Sequence, residues 1–131
     1  MLTGGCFCGR VRYQAEGMPF NETNCHCSIC RRTTGAPFVA WFSVPRSQLK
    51  VSGEPTRFRS SGNATRSFCP ECGTQITFDL DGAGEEIDIT TCSLDDQDWV
   101  PPVDHTWTSK RLAWVKLGDG LPQFREGRKE G

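Results

Sequence analysis

The segment Cys69-Pro70-Glu71-Cys72-Gly73 places two cysteines three positions apart and follows them with a glycine. Two thiolates at this spacing can point at one cation from a single turn, and the glycine lets that turn expose backbone N–H groups toward the sulfurs. A redox-active dithiol is the alternative use of the same spacing. We predict that this pair binds a metal ion, which requires a second pair from another segment to complete a tetrahedron.

Five of the remaining six cysteines form two groups, Cys6-Phe7-Cys8 and Cys25-His26-Cys27-Ser28-Ile29-Cys30. If the pair Cys6 and Cys8 joins the pair Cys69 and Cys72, the group of three stays intact. The count then predicts a closed four-cysteine zinc site and an open three-cysteine zinc site. Four protein ligands are typical of a structural zinc, whereas a vacant fourth position admits water, thiol or substrate and is typical of a catalytic one.

Three other residues could close the three-cysteine site. His26 lies between two of its ligands, and adjacent side chains rarely reach one ion together. Cys92 stands alone and can be a small buried side chain. His105 can be a hydrogen-bonded structural residue or a catalytic one. The sequence leaves the roles of Cys92 and His105 open.

Arginines stand beside every cysteine group, at Arg10, Arg31, Arg32 and Arg66. Thiolates gathered in a chain of formal charge −1 call for such cations. Arg31 and Arg32 follow the open site directly, so we predict that they bind a substrate carboxylate there. Solvated surface positions are the alternative.

Composition limits the class of protein. A chain of 131 residues can bury a core without disulfides, and its 15 basic and 16 acidic residues leave no basic field for nucleic acid. No apolar stretch approaches the about 18 residues of a membrane span, and residues 1–6 show neither the positive nor the apolar region of a signal peptide. We expect a cytoplasmic protein, monomeric or homodimeric, with reduced thiols and not a secreted disulfide framework.

Short alternating runs predict a mainly β fold. Apolar and polar residues alternate over residues 11–15, 57–59, 75–79 and 87–90. Residues 37–44 are apolar on both faces and end at Pro45, which predicts a central strand. Two short helical turns are predicted, one capped by Ser28 and ending at Gly35, the other over residues 45–49. We expect a single domain over residues 1–124 and a flexible, charged tail over residues 125–131.

The order of these motifs resembles the glutathione-dependent formaldehyde-activating enzyme family from about Gly4 to Pro122. The resemblance rests on residues 5–9, 25–31, 35–36, 66–74 and 93–96, together with His105, Trp114 and residues 119–122. It implies a β-tent fold, with several small antiparallel sheets around the metal sites. It also implies a structural zinc on Cys6, Cys8, Cys69 and Cys72, and a catalytic zinc on Cys25, Cys27 and Cys30.

The resemblance further implies a carbon–sulfur lyase that adds glutathione to formaldehyde to give S-hydroxymethylglutathione. Two zinc ions are the implied cofactors, and glutathione is the implied co-substrate. Arg31, Arg32 or Lys110 could bind one end of glutathione, and Asp95 or Asp96 the other. The alternative is a non-catalytic zinc module that binds a protein partner. A nucleic-acid zinc ribbon is disfavoured by the slightly acidic charge.

Overall fold

Residues 1–128 are described by the computed structural model, and they form ten β-strands, one α-helix and three short 3₁₀ turns. The strands are β1 (Leu2–Gly5), β2 (Arg12–Ala15), β3 (Phe20–Cys25), β4 (Val39–Pro45), β5 (Leu49–Ser52), β6 (Thr56–Ser61), β7 (Ala64–Phe68), β8 (Gln75–Leu80), β9 (Glu86–Thr90) and β10 (His105–Thr106). The helix α1 spans Ser28–Thr34, and the 3₁₀ turns span Arg46–Gln48, Thr91–Ser93 and Thr108–Lys110. The predicted mainly β class is confirmed.

The strands form two sheets. The small sheet has the order β1-β2-β5 and is antiparallel throughout. The large sheet has the order β10-β3-β4-β9-β8-β7-β6, and among its described strand pairs only β10 and β3 run parallel. The predicted central strand is β4, which has partners on both sides. The several small sheets expected from the resemblance are thus one small and one larger sheet.

The small sheet covers one face of the large sheet. Phe42 and Val44 of β4 are fully buried in the core between the sheets. The core includes residues from both sheets, among them Leu2, Val11, Tyr13, Ala15, Ile76 and Ile89. Full burial of each large apolar side chain contributes roughly 1.5–3 kcal/mol to folding. Because side chains alternate along a strand, Trp41 and Ser43 point to the opposite face, which the small sheet leaves uncovered.

Several strands lie outside the alternating runs of the sequence: β1, β3, β5, β7 and β10. Strand β1 contains two glycines, and a Cβ at Gly4 would collide with the Ser93 carbonyl oxygen and the Tyr13 ring. Strand β3 is largely polar and has a bulge between Phe20 and Thr23, where Asn21 adopts a φ of 55°. Close packing and irregular backbone therefore explain why these strands show no alternation of apolar and polar residues.

The helix α1 begins one residue earlier than its predicted cap implies. The N-cap is Cys27, whose Sγ accepts a hydrogen bond from the backbone N–H of Cys30 at 3.2 Å, and Ser28 is the first helical residue. The predicted cap at Ser28 is therefore wrong, because the thiol of Cys27 already satisfies the free N–H group. The predicted end at Gly35 is confirmed, with a φ of 69°. Among residues 1–128, no helix is long and apolar enough to cross a membrane.

The charged segment after residue 124 is hydrogen bonded to the domain as far as it is described. The carbonyls of Arg125 and Glu126 accept hydrogen bonds from the backbone N–H groups of Ser109 and Trp107, both at 3.0 Å. The guanidinium of Arg128 donates to Asp104 at 2.7 Å. Residues 125–128 are thus hydrogen bonded to the domain, the flexibility of the tail stays a prediction, and residues 129–131 lie outside the described residues.

Candidate metal centres and active site

The first cysteine cluster joins the two pairs that the sequence combined. The Sγ atoms of Cys6, Cys8, Cys69 and Cys72 all lie within 4.8 Å of one another. The Cys6–Cys8 sulfur distance is 3.6 Å and the Cys8–Cys69 distance is 3.7 Å. Zn–S bonds of about 2.3 Å in a tetrahedron place the sulfurs about 3.8 Å apart, so this donor set fits one zinc ion. A disulfide would need about 2.05 Å, and all eight cysteines are free.

The four-cysteine cluster connects the two sheets. Cys6 and Cys8 follow β1 of the small sheet, whereas the other pair lies in the turn between β7 and β8 of the large sheet. The backbone N–H of Val11 donates to the Cys6 sulfur at 3.2 Å. The pKa of Cys72 is lowered to about 5 by hydrogen bonds from the Thr74 hydroxyl and from backbone N–H groups. A structural zinc ion needs ligands in the thiolate form, and these hydrogen-bond donors favour that form at the junction of the two sheets.

The second cluster consists of Cys25, Cys27 and Cys30, whose sulfurs also lie within 4.8 Å of one another. Cys25 ends β3, Cys27 caps α1 and Cys30 lies in its first turn, with 3.4 Å between the sulfurs of Cys25 and Cys30. The pKa of Cys27 lies far below its usual range because its thiolate accepts hydrogen bonds from the other two thiols and from a backbone N–H, and the same thiolate raises the pKa of Cys25. Three such groups become thiolates together only when a cation neutralises them, so the donors fit a thiophilic metal ion.

Within residues 1–128, the second cluster contains no fourth ligand besides its three cysteines. Cys92 is exposed on a 3₁₀ turn. His26 and His105 lie outside both clusters and contact each other, with 2.9 Å between His26 Nε2 and His105 Nδ1. The structure therefore presents the second cluster as an open, three-cysteine arrangement.

A buried hydrogen-bonded chain runs from His26 through His105 to Asp119. The His105 Nε2 atom lies 2.8 Å from the Asp119 carboxylate, and the two imidazoles are 0% and 1% exposed. With Asp119 ionised, His105 Nε2–H donates to it, so His105 Nδ1 accepts the Nε2–H of His26. Burial, with nearby positive charge, lowers the pKa of His26 to about 4. His26, whose ring also stacks on Phe38, therefore holds the backbone between Cys25 and Cys27 from the side away from the metal donors.

The main cavity, of about 610 Å³, lies against the uncovered face of the large sheet. All three cysteines of the second cluster line it, and Trp41 and Phe78 form apolar walls. This volume is within the range of sites that enclose small molecules. The open cluster can therefore meet a small-molecule ligand in this cavity.

Arg66 of β7 is the cation nearest to the second cluster in the described residues, although it precedes Cys69 in the sequence. Its Nη2 atom lies 3.6 Å from the Cys30 sulfur, and its guanidinium stacks 4.7 Å from the Phe78 ring centre. The side chain is only 3% exposed. Strand alternation directs the Arg66 side chain to the cavity face, whereas Cys69 lies beyond the end of β7 in the core. The prediction that Arg66 lies beside the Cys69–Cys72 pair is therefore wrong.

A family comparison agrees with this arrangement. The family described as "Glutathione-dependent formaldehyde-activating enzyme" matches residues 1–110 of the chain. The chain belongs to this family. It is 29% identical over 132 aligned positions to a Halomonas elongata protein named, as a provisional assignment, a glutathione-dependent formaldehyde-activating enzyme; the alignment covers 89% of this chain and 81% of that one.

Two further relatives extend the comparison. An uncharacterized lyase of Schizosaccharomyces pombe is 29% identical over 75 residues, which are 57% of this chain and 55% of that protein. The chain thus spans about half of this yeast relative. A crystal structure of a Rhodobacter sphaeroides protein superposes with a TM-score of 0.59 over 93% of this chain and 98% of that one, at 21% identity. This last likeness shows a shared fold.

For this member of the glutathione-dependent formaldehyde-activating enzyme family, the predicted ligand-binding charges lie in different places. Arg31 and Arg32 belong to α1 but do not line the main cavity, and their contact with a ligand stays a prediction. Lys110 does line it. Asp95 accepts hydrogen bonds from Arg12 at 2.5 Å and from Thr3 at 2.8 Å, and neither it nor Asp96 lines the cavity. The expectation that Asp95 or Asp96 faces the substrate is not supported by this geometry.

Asp88 is a cavity residue that the sequence analysis missed. It lies on β9, and its Oδ1 atom accepts a hydrogen bond from Ser43 at 2.5 Å. Burial raises its pKa to about 6. The alternation of residues 87–90 predicts that Asp88 and the buried Ile89 lie on opposite faces of β9. The sequence does not show that the face of Asp88 lines a cavity, because this depends on which face of the large sheet the small sheet covers. A neighbouring carboxylate, Glu86, accepts a hydrogen bond from Asn21 at 2.9 Å.

Proposed function

We propose that the protein is a zinc-dependent carbon–sulfur lyase that forms or cleaves a thiol–aldehyde adduct such as S-(hydroxymethyl)glutathione. The observation that carries the proposal is the open cluster of Cys25, Cys27 and Cys30 in the wall of a cavity of about 610 Å³. Family membership and the lyase name of one relative support the reaction class. Because all eight cysteines are free thiols, we place the protein in a reducing compartment such as the cytoplasm.

The reaction needs no oxidant. In the cleavage direction the adduct hydroxyl loses its proton, the carbonyl forms as the carbon–sulfur bond breaks, and the electron pair leaves with sulfur, which then accepts a proton. A zinc ion held by the three cysteines would stabilise the thiolate or polarise the carbonyl oxygen. Arg66 adds fixed positive charge beside Cys30, and Trp41 and Phe78 give the cavity apolar walls beside the cluster. The four-cysteine cluster would hold a second, structural zinc.

The decisive variant is Cys27→Ser, because serine keeps an oxygen that can cap α1 while it removes one thiolate. We expect the variant to bind one zinc per chain instead of two and to lose at least about 100-fold in rate. The rate is measured by exchange NMR on equilibrated glutathione and formaldehyde. Cys92→Ser is the matched control, because Cys92 is exposed and outside both clusters, and it should retain both zinc ions and full activity.

Full turnover by Cys27→Ser would refute the proposal. A cobalt spectrum separates the enzyme from a non-catalytic module that binds a protein partner. In a module whose two ions are fully ligated by protein, added glutathione leaves the spectrum unchanged. In the proposed enzyme, glutathione changes the bands of one of the two cobalt ions.

A further inference from the structure

Asp88 and Arg66 face the same cavity from different strands of the large sheet. The register pairs Arg66 with Phe78 and Phe78 with Asp88, so the three residues form one row across β7, β8 and β9. Residues paired in this way point to the same face of a sheet. Neighbouring strands lie about 4.8 Å apart, so the backbones of Arg66 and Asp88 are about 10 Å apart. Cys25 pairs with Val39 of β4, whereas Asp88 pairs with Ser43, four positions or about 13 Å farther along β4, so the backbone of Asp88 lies well away from the cysteine cluster.

The carboxylate of Asp88 is only partly satisfied. Ser43, which pairs with Asp88 in the register of β4 and β9, donates to one of its oxygens. Among residues 1–128, no other hydrogen bond and no ion pair to Asp88 is formed, whereas nearby Asp79 is paired with Arg46 at 2.7 Å. A half-buried carboxylate that faces the cavity and forms no ion pair with a described residue offers a place for a cationic ligand group.

We propose that Asp88 binds the primary ammonium of the thiol substrate and so selects thiols that carry a protonated amine at the end remote from their sulfur. The inference rests on the proposed function, since the thiol must lie at the three-cysteine cluster. The middle of such a ligand would cross the rings of Phe78 and Trp41, which line the floor between the two ends. Lys110 lines the same cavity and can pair with a carboxylate of the same ligand.

A proton-transfer role does not fit the position of Asp88. A general base must lie within about 3 Å of the proton that it removes, or one water molecule away. The reacting carbon is next to the sulfur at the cysteine cluster, well away from the backbone of Asp88. Recognition of the far end of the ligand is therefore the role that the distance allows.

The test compares reduced glutathione with N-acetylglutathione, which lacks the ammonium and keeps the thiol. Binding to the zinc-loaded protein is measured by calorimetry without aldehyde, so no turnover occurs. We expect acetylation to weaken binding to the natural protein at least about tenfold. Asp88→Asn should weaken glutathione by a similar factor and leave N-acetylglutathione unchanged. Glu85→Gln, at an exposed residue outside the cavity, is the matched control and should bind both ligands normally.

Equal binding of the two thiols by the natural protein would overturn the inference, and this comparison needs no variant to fold. Equal weakening of both thiols by Asp88→Asn would also overturn it, since Asp88 would then act only on the shape of the cavity. Failure of the natural protein to bind either thiol counts against it as well. The proposed function is measured separately by exchange NMR, so discrimination in binding without turnover would refute only the lyase activity.

Discussion

Asp88 combines an anchoring role with a cost to folding. Burial raises its pKa from 3.8 to about 6, while Ser43 and the more distant Arg66 act in the opposite direction, and Glu86 and Asp79 add to the rise. The unfolded chain therefore releases this proton at lower pH than the folded chain does. Stability that is present below the unfolded pKa is lost as the pH rises through the folded pKa.

This sign predicts that Asp88→Asn stabilises the protein near neutral pH. Between pH 5 and pH 7.5, the free energy of unfolding of the natural protein should fall by roughly 1–2 kcal/mol relative to the variant. The measurement is urea unfolding followed by circular dichroism at each pH, with Glu85→Gln as the control carboxylate. If the difference in unfolding free energy between the natural protein and Asp88→Asn stays constant across this pH range, the raised pKa of Asp88 is contradicted.

The partners of a residue could be predicted where sequence spacing alone decides them. They could not be predicted where they depend on which face of a strand the side chain occupies. The pairing of Cys6 and Cys8 with Cys69 and Cys72 follows from counting thiols, and the structure brings those sulfurs together. The contact between Arg66 and Cys30 could not be predicted from spacing, because the cysteine nearest to Arg66 in the sequence is Cys69. Which side of a strand faces a cavity depends on what covers the other side.

At the scale of elements, the strand β10 connects the loop of the three-cysteine cluster to the end of the described chain. His105 of β10 receives a hydrogen bond from His26 and donates one to Asp119. Its backbone N–H and carbonyl bond to the carbonyl of Pro122 and the N–H of Phe124, at 2.9 Å and 2.8 Å. A two-residue strand thus positions the backbone on which Cys25 and Cys27 lie.

We expect His105→Ala to destabilise the protein by about 2–4 kcal/mol, because it leaves a cavity and a buried His26 N–H without an acceptor. It should also weaken zinc binding at the three-cysteine cluster, which chelator competition measures alongside urea unfolding. Asp119→Asn is the matched control: it keeps an acceptor at a partly exposed site and should cost less than about 1 kcal/mol. Zinc affinity unchanged in His105→Ala would show that the chain does not position the cluster.

Whether a strand or helix end could be predicted from the sequence depends on its surroundings in the fold. Strand β4 was predictable because both of its faces are covered, and the end of α1 because Gly35 adopts a left-handed conformation. Strand β10 has two residues and gains its place from long-range pairing with β3, which no local pattern reveals. Strand β3 bulges at Asn21, and a bulge interrupts the alternation that marks a strand.

At the scale of the whole molecule, the proposed function assigns stability to one cysteine cluster and chemistry to the other. The four-cysteine cluster joins the two sheets and packs against the main core, whereas the three-cysteine cluster lies in a separate, smaller group of buried side chains. Loss of the first should therefore loosen the contact between the sheets. Loss of the second should leave that contact in place.

We predict that Cys72→Ala lowers the free energy of unfolding by several kcal/mol, because a structural zinc site contributes directly to folding. Cys27→Ser should cost less than Cys72→Ala, because it also forfeits a bound ion but serine still caps the helix and the contact between the sheets stays in place. Urea unfolding of the zinc-loaded proteins gives both values, with Cys92→Ser as the control. Equal losses in Cys72→Ala and Cys27→Ser would contradict this division of roles.

The parallel pairing of β10 with β3 sets an order for assembly during synthesis. Strand β3, which ends at Cys25, has β4 as a neighbour early but receives its second neighbour only when residues 105–106 have emerged from the ribosome. The four ligands of the closed cluster are all present once Cys72 has been made. A growing chain therefore completes its four-cysteine cluster before the three-cysteine cluster has its full surroundings, so the thiols of the three-cysteine cluster are the last to be sheltered.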